Sequence, residues 1–185
     1  MPLVGVIFYF INTPRYTNNS IITSKLISVT ILTVILPVIT FVLLKILGRA
    51  KSIHLKSTNE RILPLLINII FSYLVVKHIF TKADYLALYF FFISIIASTI
   101  LCLIMAIAKI KASIHMLSIS GVFMFFIGLS MHYSINITLS IAIVAFVMGA
   151  VATSRLHLKA HTNQELVIGC LIGIIPQLVL YKIWL

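Results

Sequence analysis

Long runs of apolar residues alternate with short polar segments along the whole chain. A helix needs roughly 17–25 apolar residues to cross a bilayer. Six runs meet this requirement, and each predicts one transmembrane helix: 26–47, 62–80, 85–108, 115–131, 135–152 and 166–185. A seventh run, 2–11, is too short to span, and the turn signal Asn12-Thr13-Pro14 that follows it indicates a half-inserted or interfacial segment. The pattern therefore predicts a single all-α integral membrane domain, a bundle of six transmembrane helices with a short apolar N-terminal segment.

The composition agrees with this pattern. Hydrophobic residues make up 62% of the 185 residues and charged residues only 9%, whereas soluble domains carry about 25% charged residues. A water-soluble globular domain and a disordered chain are therefore excluded. The net charge of +11 would suggest nucleic acid as the partner of a soluble protein. Here the basic residues lie between apolar runs, so we expect them to meet bilayer head groups or an anionic substrate, and we expect no nucleic-acid partner.

The polar segments fall on alternating sides of the predicted bundle. Segments 48–61, 109–114 and 153–165 lie on one side, which we call the polar face. This face carries most of the ionisable residues, counted together with Lys45 at the end of the first run. They are Lys45, Arg49, Lys51, Lys56, Arg61, Lys109, Lys111, Arg155 and Lys159, with His54, His115, His157, His161, Glu60 and Glu165. Because ionisable groups at membrane depth are costly, such a cluster indicates function.

The residue types of the polar face fit phosphoryl transfer to a histidine. Arginine forks bind phosphate oxygens in a bidentate manner, and helix N-termini offer free N–H groups to an anion. A neutral imidazole becomes a nucleophile when a carboxylate holds its other nitrogen, and a second imidazole can protonate the leaving oxygen. The candidate residues are Arg61, Arg155, Lys56, Lys111, Ser113, Ser154, His115, His161 and Glu165.

These residues also carry a resemblance to a known family. Ser154-Arg155, five residues, His161, three residues and Glu165 resembles the third signature motif of the type 2 phosphatidic acid phosphatase superfamily, in which the last position is Asp. Residues 112–115, Ala-Ser-Ile-His, resemble the second motif, Pro-Ser-Gly-His. The phrases "ERILP", "KASIHM" and "SRLHLKAHTNQELVIG" are similar to a compact bacterial branch of this family.

The first motif of that family, Lys-x6-Arg-Pro, matches least. Arg61 fits its arginine, but His54 occupies the lysine position and Lys56 lies two residues later. The proline falls at Pro64 instead of directly after the arginine. The three motifs nevertheless occur in the family's order and on one face of the predicted bundle.

The resemblance implies a lipid-phosphate phosphatase that uses no metal or other cofactor. It implies that His161 is the nucleophile, that Glu165 orients it, and that His115 protonates the leaving alcohol and then activates water. Arg61, Arg155, Ser154 and the loop at Ser113 would hold the phosphate, with Lys56 or Lys111 in the role of the family's lysine. The expected substrate is a lipid phosphate or pyrophosphate with its tail in the bilayer. The sequence indicates no oligomeric state.

Each feature also has a structural interpretation. Thr162-x-x-Glu165 is a capping box that would begin the sixth span without catalysis, and both roles can coexist. A non-catalytic relative, acting as a lipid-binding or scaffold protein, is the alternative function. His157 and His161 have a spacing that could bind a metal on a helix, but no further ligand set accompanies them, so we expect no metal site. Gly169 and Gly173 predict a close helix contact, as do three further glycines: Gly121, Gly128 and Gly149.

Two opposing signals bear on which side of the membrane the polar face occupies. Counting basic residues near the span ends would place the polar face, with nine of the fourteen, in the cytoplasm. Bacterial relatives of the resembled family turn the active site outward, and removing the four candidate phosphate-binding cations Lys56, Arg61, Lys111 and Arg155 leaves five against five. We therefore expect a multi-pass protein of the bacterial inner (cytoplasmic) membrane with its active site facing the periplasm.

Overall fold

The computed structural model describes residues 1–47 and 58–185, and it shows a bundle of α-helices. The helices are α1 (Pro2–Asn12), α2 (Asn19–Thr30), α3 (Leu36–Ile46), α4 (Asn59–His78), α5 (Leu86–Ile107), α6 (Ile114–Tyr133), α7 (Thr138–His157) and α8 (Asn163–Trp184). A π-helical turn, Ile31–Ile35, joins α2 and α3 into one continuous helix. The described residues contain no β-strand, and six helices are long and apolar enough to cross a membrane. The predicted fold class is confirmed, and the chain has the architecture of a multi-pass membrane protein.

The ends of the spans differ from the prediction, most of all in two places. The first span begins at Asn19 and not at residue 26, because the Asn18 side chain caps it by accepting a hydrogen bond from Ser20 N–H. The fifth span, α7, continues to His157 and not to residue 152. Hydropathy marks only the part of a helix that lies in lipid, whereas basic residues favour the last turn of a helix. Arg155 therefore lies on a helix and not in a loop.

The π-helical turn lies just before Pro37. Proline has no N–H, so the carbonyl of Thr33 loses its usual i+4 partner. In the π-helical turn the N–H of Leu36 donates a hydrogen bond to the carbonyl of Ile31, five residues earlier. The switch of hydrogen-bond register carries the helix past the proline without a break.

Helix α1 is too short to span, as predicted, but it lies inside the bundle. Val6 and Tyr9 are almost fully buried. The ring of Phe8 stacks on that of Phe126 in α6, with 3.7 Å between centroids. The Tyr9 hydroxyl lies 3.4 Å from the hydroxyl of Tyr133 at the other end of α6 from the polar face. One side of α1 therefore packs against the bundle, while three of its apolar residues are exposed: Val4, Ile7 and Ile11. Its interpretation as a half-inserted or interfacial segment stays a prediction.

Helices α6 and α8 pack closely because α8 presents two glycines to α6. A Cβ atom on Gly169 would lie 2.5 Å from the carbonyl oxygen of Ser113. A Cβ atom on Gly173 would collide with the carbonyl oxygen of Leu117 and with the hydroxyl of Ser120. The contact predicted from the four-residue spacing of these glycines is confirmed. The same expectation was wrong for Gly149, where an added Cβ atom would have no neighbour within 4 Å among the described residues.

Two loops of the polar face begin with the same backbone turn. After α5, Lys109 adopts a left-handed conformation with φ of 63°, and Lys159 does so after α7 with φ of 49°. In each turn the next N–H bonds five residues back: Ile110 N–H to the Met105 carbonyl and Ala160 N–H to that of Arg155. This is the Schellman arrangement, for which glycine is the usual residue. Each turn reverses the direction of the chain at the end of its helix. The two loops therefore approach each other.

We predict that Gly169→Ala destabilises the protein by about 2 kcal/mol, because backbone atoms of α6 would have to move away. The matched control is Gly149→Ala, where the added methyl has open space and helix propensity favours alanine by up to about 1 kcal/mol. Thermal unfolding in detergent micelles measures both changes. Equal midpoints for the two variants would contradict the packing argument.

Candidate active site

The carboxylate of Glu165, in the first turn of α8, is the centre of the polar face. Its Oε2 atom lies 2.6 Å from Nδ1 of His161 and 3.8 Å from Nζ of Lys111. It also accepts a hydrogen bond from the N–H of Thr162, while the Thr162 hydroxyl accepts one from the N–H of Glu165. The predicted capping box is therefore present. One carboxylate both caps the helix and holds a histidine, so the structural and the chemical roles coexist.

The bond to Glu165 fixes the proton on the His161 ring. An ionised carboxylate only accepts hydrogen bonds, so Nδ1 of His161 must be the donor. In a neutral imidazole the other nitrogen, Nε2, then carries a lone pair. The side chain is only 7% exposed, so its orientation is fixed by packing as well as by the carboxylate. His161 is thus held in the tautomer that a nucleophilic imidazole requires.

Burial lowers the pKa of His161 below its ordinary value of 6.5, because removal from water disfavours the charged ring. The hydrogen bond to Glu165 opposes this shift, while the positive charges of Lys111 and Arg61 add to it. The outcome is a lowered pKa. At pH 7 His161 is therefore mostly neutral, with Nε2 unprotonated.

The loop between α5 and α6 ties the other loops and helix ends together. Lys111 Nζ donates a 2.8 Å hydrogen bond to the carbonyl of Ala160, in the loop that precedes α8. The N–H of Ser113 donates to the carbonyl of Glu165 at 3.0 Å. These two bonds join the beginning of α6 to the beginning of α8. They place the N-termini of both helices side by side.

Arg61, in the first turn of α4, joins this helix to the loop between α5 and α6. Its Nη1 donates a 2.8 Å hydrogen bond to the carbonyl of Ala112, and only 5% of the residue is exposed. The guanidinium also interacts electrostatically with Glu165. A guanidinium has five N–H donors in a planar fork, and Arg61 uses one on Nη1 to hold the carbonyl of Ala112.

Arg155 and His115 complete the group. The Nε atom of Arg155 is buried and has no hydrogen-bond partner in the part of the chain that the structure describes. His115 is exposed in the first turn of α6 and interacts electrostatically with Arg155, with His161 and with Arg61. Two guanidinium groups and two imidazoles are therefore within electrostatic range of His115 or His161 at this end of the bundle, and groups of these types are suited to an anion.

The three other predicted site residues have different positions. Ser113 is buried, and its hydroxyl accepts a hydrogen bond from Met116 N–H as the N-cap of α6. Ser154 is exposed on α7. Lys56 lies outside the described residues, as does His54. Of the two lysines considered for the family's lysine role, Lys111 is therefore the one whose place in the network is known.

Some features of the site had no signal in the sequence. The carbonyls of Ala112 and Ala160 hold two of the cations, and main-chain groups of loops cannot be assigned from residue type. Gln177, a lone amide near the middle of α8, did carry a signal, because polar groups at that depth indicate function. Within residues 1–47 and 58–185, no three His, Cys, Asp or Glu side chains are grouped to hold a metal ion.

Comparisons of the chain with protein-family models, with curated proteins and with solved structures found no match. The functional interpretation therefore rests on the residues and the geometry of this chain.

We predict that the pKa of His161 in the folded protein lies below 6.5. Lys111→Gln removes a positive charge and should raise it, whereas Glu165→Gln removes the stabilising carboxylate and should lower it further. Carbon-13 NMR of labelled histidines in micelles, assigned with His161→Gln, measures these values. Lys109→Gln, which removes an exposed lysine of the same loop, is the control and should leave the pKa unchanged. Shifts of the same sign in the first two variants would contradict the assigned contacts.

Proposed function

We propose that this protein is a membrane phosphatase that removes phosphate from a lipid phosphate or pyrophosphate through a phosphohistidine intermediate. The observation that carries the proposal is the 2.6 Å hydrogen bond between His161 Nδ1 and Glu165 Oε2. It holds a largely buried imidazole, with Nε2 unprotonated, within electrostatic range of Arg61 and Lys111. The family resemblance of the motifs supports the same chemistry.

In the first step, Nε2 of His161 attacks the phosphorus atom and a bond to nitrogen forms. The bond from phosphorus to the leaving oxygen breaks, and protonated His115 gives that oxygen its proton. A lipid phosphate then leaves as the neutral alcohol, and a lipid pyrophosphate leaves as the lipid monophosphate. As the imidazole becomes positively charged, the carboxylate of Glu165 stabilises it. Arg61 and Arg155 neutralise the charge on the equatorial phosphate oxygens.

In the second step, a water molecule attacks the phosphohistidine from the side that the alcohol has left. His115, now neutral, accepts a proton from this water. The phosphorus–nitrogen bond breaks, inorganic phosphate leaves, and His161 regains its neutral form. The same imidazole therefore serves as acid and then as base, and both steps proceed through the chain's own side chains.

The position of the site defines the class of substrate. The reacting groups lie at the ends of membrane-spanning helices, so the phosphate is at the membrane surface and the tail is in the bilayer. Phosphatidic acid, phosphatidylglycerol phosphate, a prenyl pyrophosphate and a lipid A phosphate all have this form. We further propose the bacterial inner membrane as the location, with the polar face toward the periplasm.

We predict that His161→Ala lowers phosphate release at least about 1,000-fold, because no other group replaces a lost nucleophile. The matched control is His157→Ala, an exposed histidine four residues earlier at the end of α7, which should stay within about twofold of the unsubstituted protein. Purified proteins in micelles are assayed with the four lipid classes, and thermal unfolding shows that both variants fold. Near-normal turnover by a folded His161→Ala protein would contradict the assignment of the nucleophile.

One observation favours a second function. Most of the candidate side chains already bind within the protein: Lys111 to Ala160, Arg61 to Ala112, and His161 to Glu165. The same network would hold loops together in a non-catalytic membrane scaffold or lipid-binding protein. Absence of phosphate release from every lipid class by folded protein, with retained binding of anionic lipid, would favour that alternative.

A further inference from the structure

A partly open cavity of about 260 Å³ lies between helices of the bundle, below the polar face. It begins near Ile114, in the first turn of α6, and near Leu65, one turn beyond Arg61. It extends to Gln177, which lies about 18 Å along α8 from Glu165 at 1.5 Å per residue. The cavity is therefore within the bilayer and separate from the residues of the candidate active site.

The walls of the cavity are apolar with a few neutral polar groups. No charged side chain of the described residues lines it. Three of its hydroxyl groups, on Thr40, Ser94 and Thr99, donate to carbonyls of their own helices and are satisfied there. Met1 also lines the cavity, and burial lowers the pKa of its α-amino group, which disfavours the charged form of that group. With no charged side chain among the described residues of the walls, their chemistry favours a neutral ligand.

Gln177 is a polar residue of the cavity wall whose side-chain amide has no hydrogen-bond partner among the described residues. Only 1% of the residue is exposed, and it lines the cavity. Neither its Nε2 nor its Oε1 atom has a hydrogen-bond partner among the described residues. Buried polar groups in native proteins are paired with protein, with water or with a ligand. An amide that is unpaired at both ends therefore requires an occupant of the cavity.

The two unpaired amide atoms of Gln177 determine which functional group the occupant must carry. Nε2 donates and Oε1 accepts, so one group that both accepts and donates can satisfy them together. A hydroxyl does so, whereas a carbonyl oxygen would leave Oε1 unpaired. The volume sets the size, because an apolar cavity of about 150 Å³ binds benzene, so this cavity holds a molecule of about ten carbon atoms.

We propose that the cavity binds a neutral aliphatic alcohol, with its hydroxyl hydrogen-bonded to the amide of Gln177 and its hydrocarbon chain along the apolar walls. The proposal does not depend on phosphatase activity, because it uses none of the residues of the polar face. Its test measures binding and not turnover.

The experiment uses the full chain in liposomes and a ten-carbon alcohol that carries a photoreactive diazirine. Mass spectrometry after illumination should find the label on lining residues of α5 or α8. Unlabelled 1-decanol should compete at about tenfold lower membrane concentration than n-decane, because two hydrogen bonds separate the two ligands. Gln177→Leu should abolish this difference, and Gln164→Leu, an exposed glutamine of the same helix, should retain it.

Several results would overturn the proposal. They are labelling outside the cavity, equal competition by decane and decanol, or an unchanged preference in folded Gln177→Leu. Gln177→Met, with an unbranched side chain of similar length, replaces that variant if it does not fold. An experimental structure with 1-decanol present that shows only water at the amide of Gln177 would also overturn it.

Discussion

The carboxylate of Glu165 is the interaction on which the polar face depends. It accepts from His161 and from the first turn of its own helix, and it lies within 3.8 Å of Lys111. Without it, Lys111 would lose its compensating charge, His161 would lose the acceptor that fixes its tautomer, and the capping box of α8 would lose the bond from Thr162 N–H. An uncompensated charge is costly at the edge of a bilayer, where water is scarce. One acidic residue thus fixes the fold of the loops and the tautomer of the histidine.

The position of Glu165 in turn depends on how closely two helices approach. Gly169 lies one turn beyond it and lets the backbone of α8 reach the backbone of Ser113. The hydrogen bond from Ser113 N–H to the Glu165 carbonyl forms across this contact. Apolar side chains give little specificity against lipid tails, so close packing and main-chain bonds set the register of the helices. The geometry of the polar face is therefore a consequence of packing inside the membrane.

The sequence was sufficient for the parts of the structure that depend on a single helix. Apolar runs predicted six spans, and the spacing of Gly169 and Gly173 predicted the helix contact. The sequence was insufficient for the parts of the structure that depend on contacts between segments. Helix α7 extends beyond the apolar run and includes Arg155, because basic residues favour the last turn of a helix. Helix α1 is buried where it packs against α5 and α6. The unpaired amide of Gln177 is visible only once its neighbours are known.

The most direct measurement of the central claim is the detection of phosphate on His161. Protein in micelles is mixed with a lipid phosphate labelled in its phosphate group, quenched with alkali within milliseconds, and mapped by mass spectrometry. The account predicts an acid-labile, alkali-stable label on His161 that forms before phosphate is released. Phosphate release without label on His161, or with label on another residue, would contradict it. So would folded protein that neither takes up label nor releases phosphate from any lipid class.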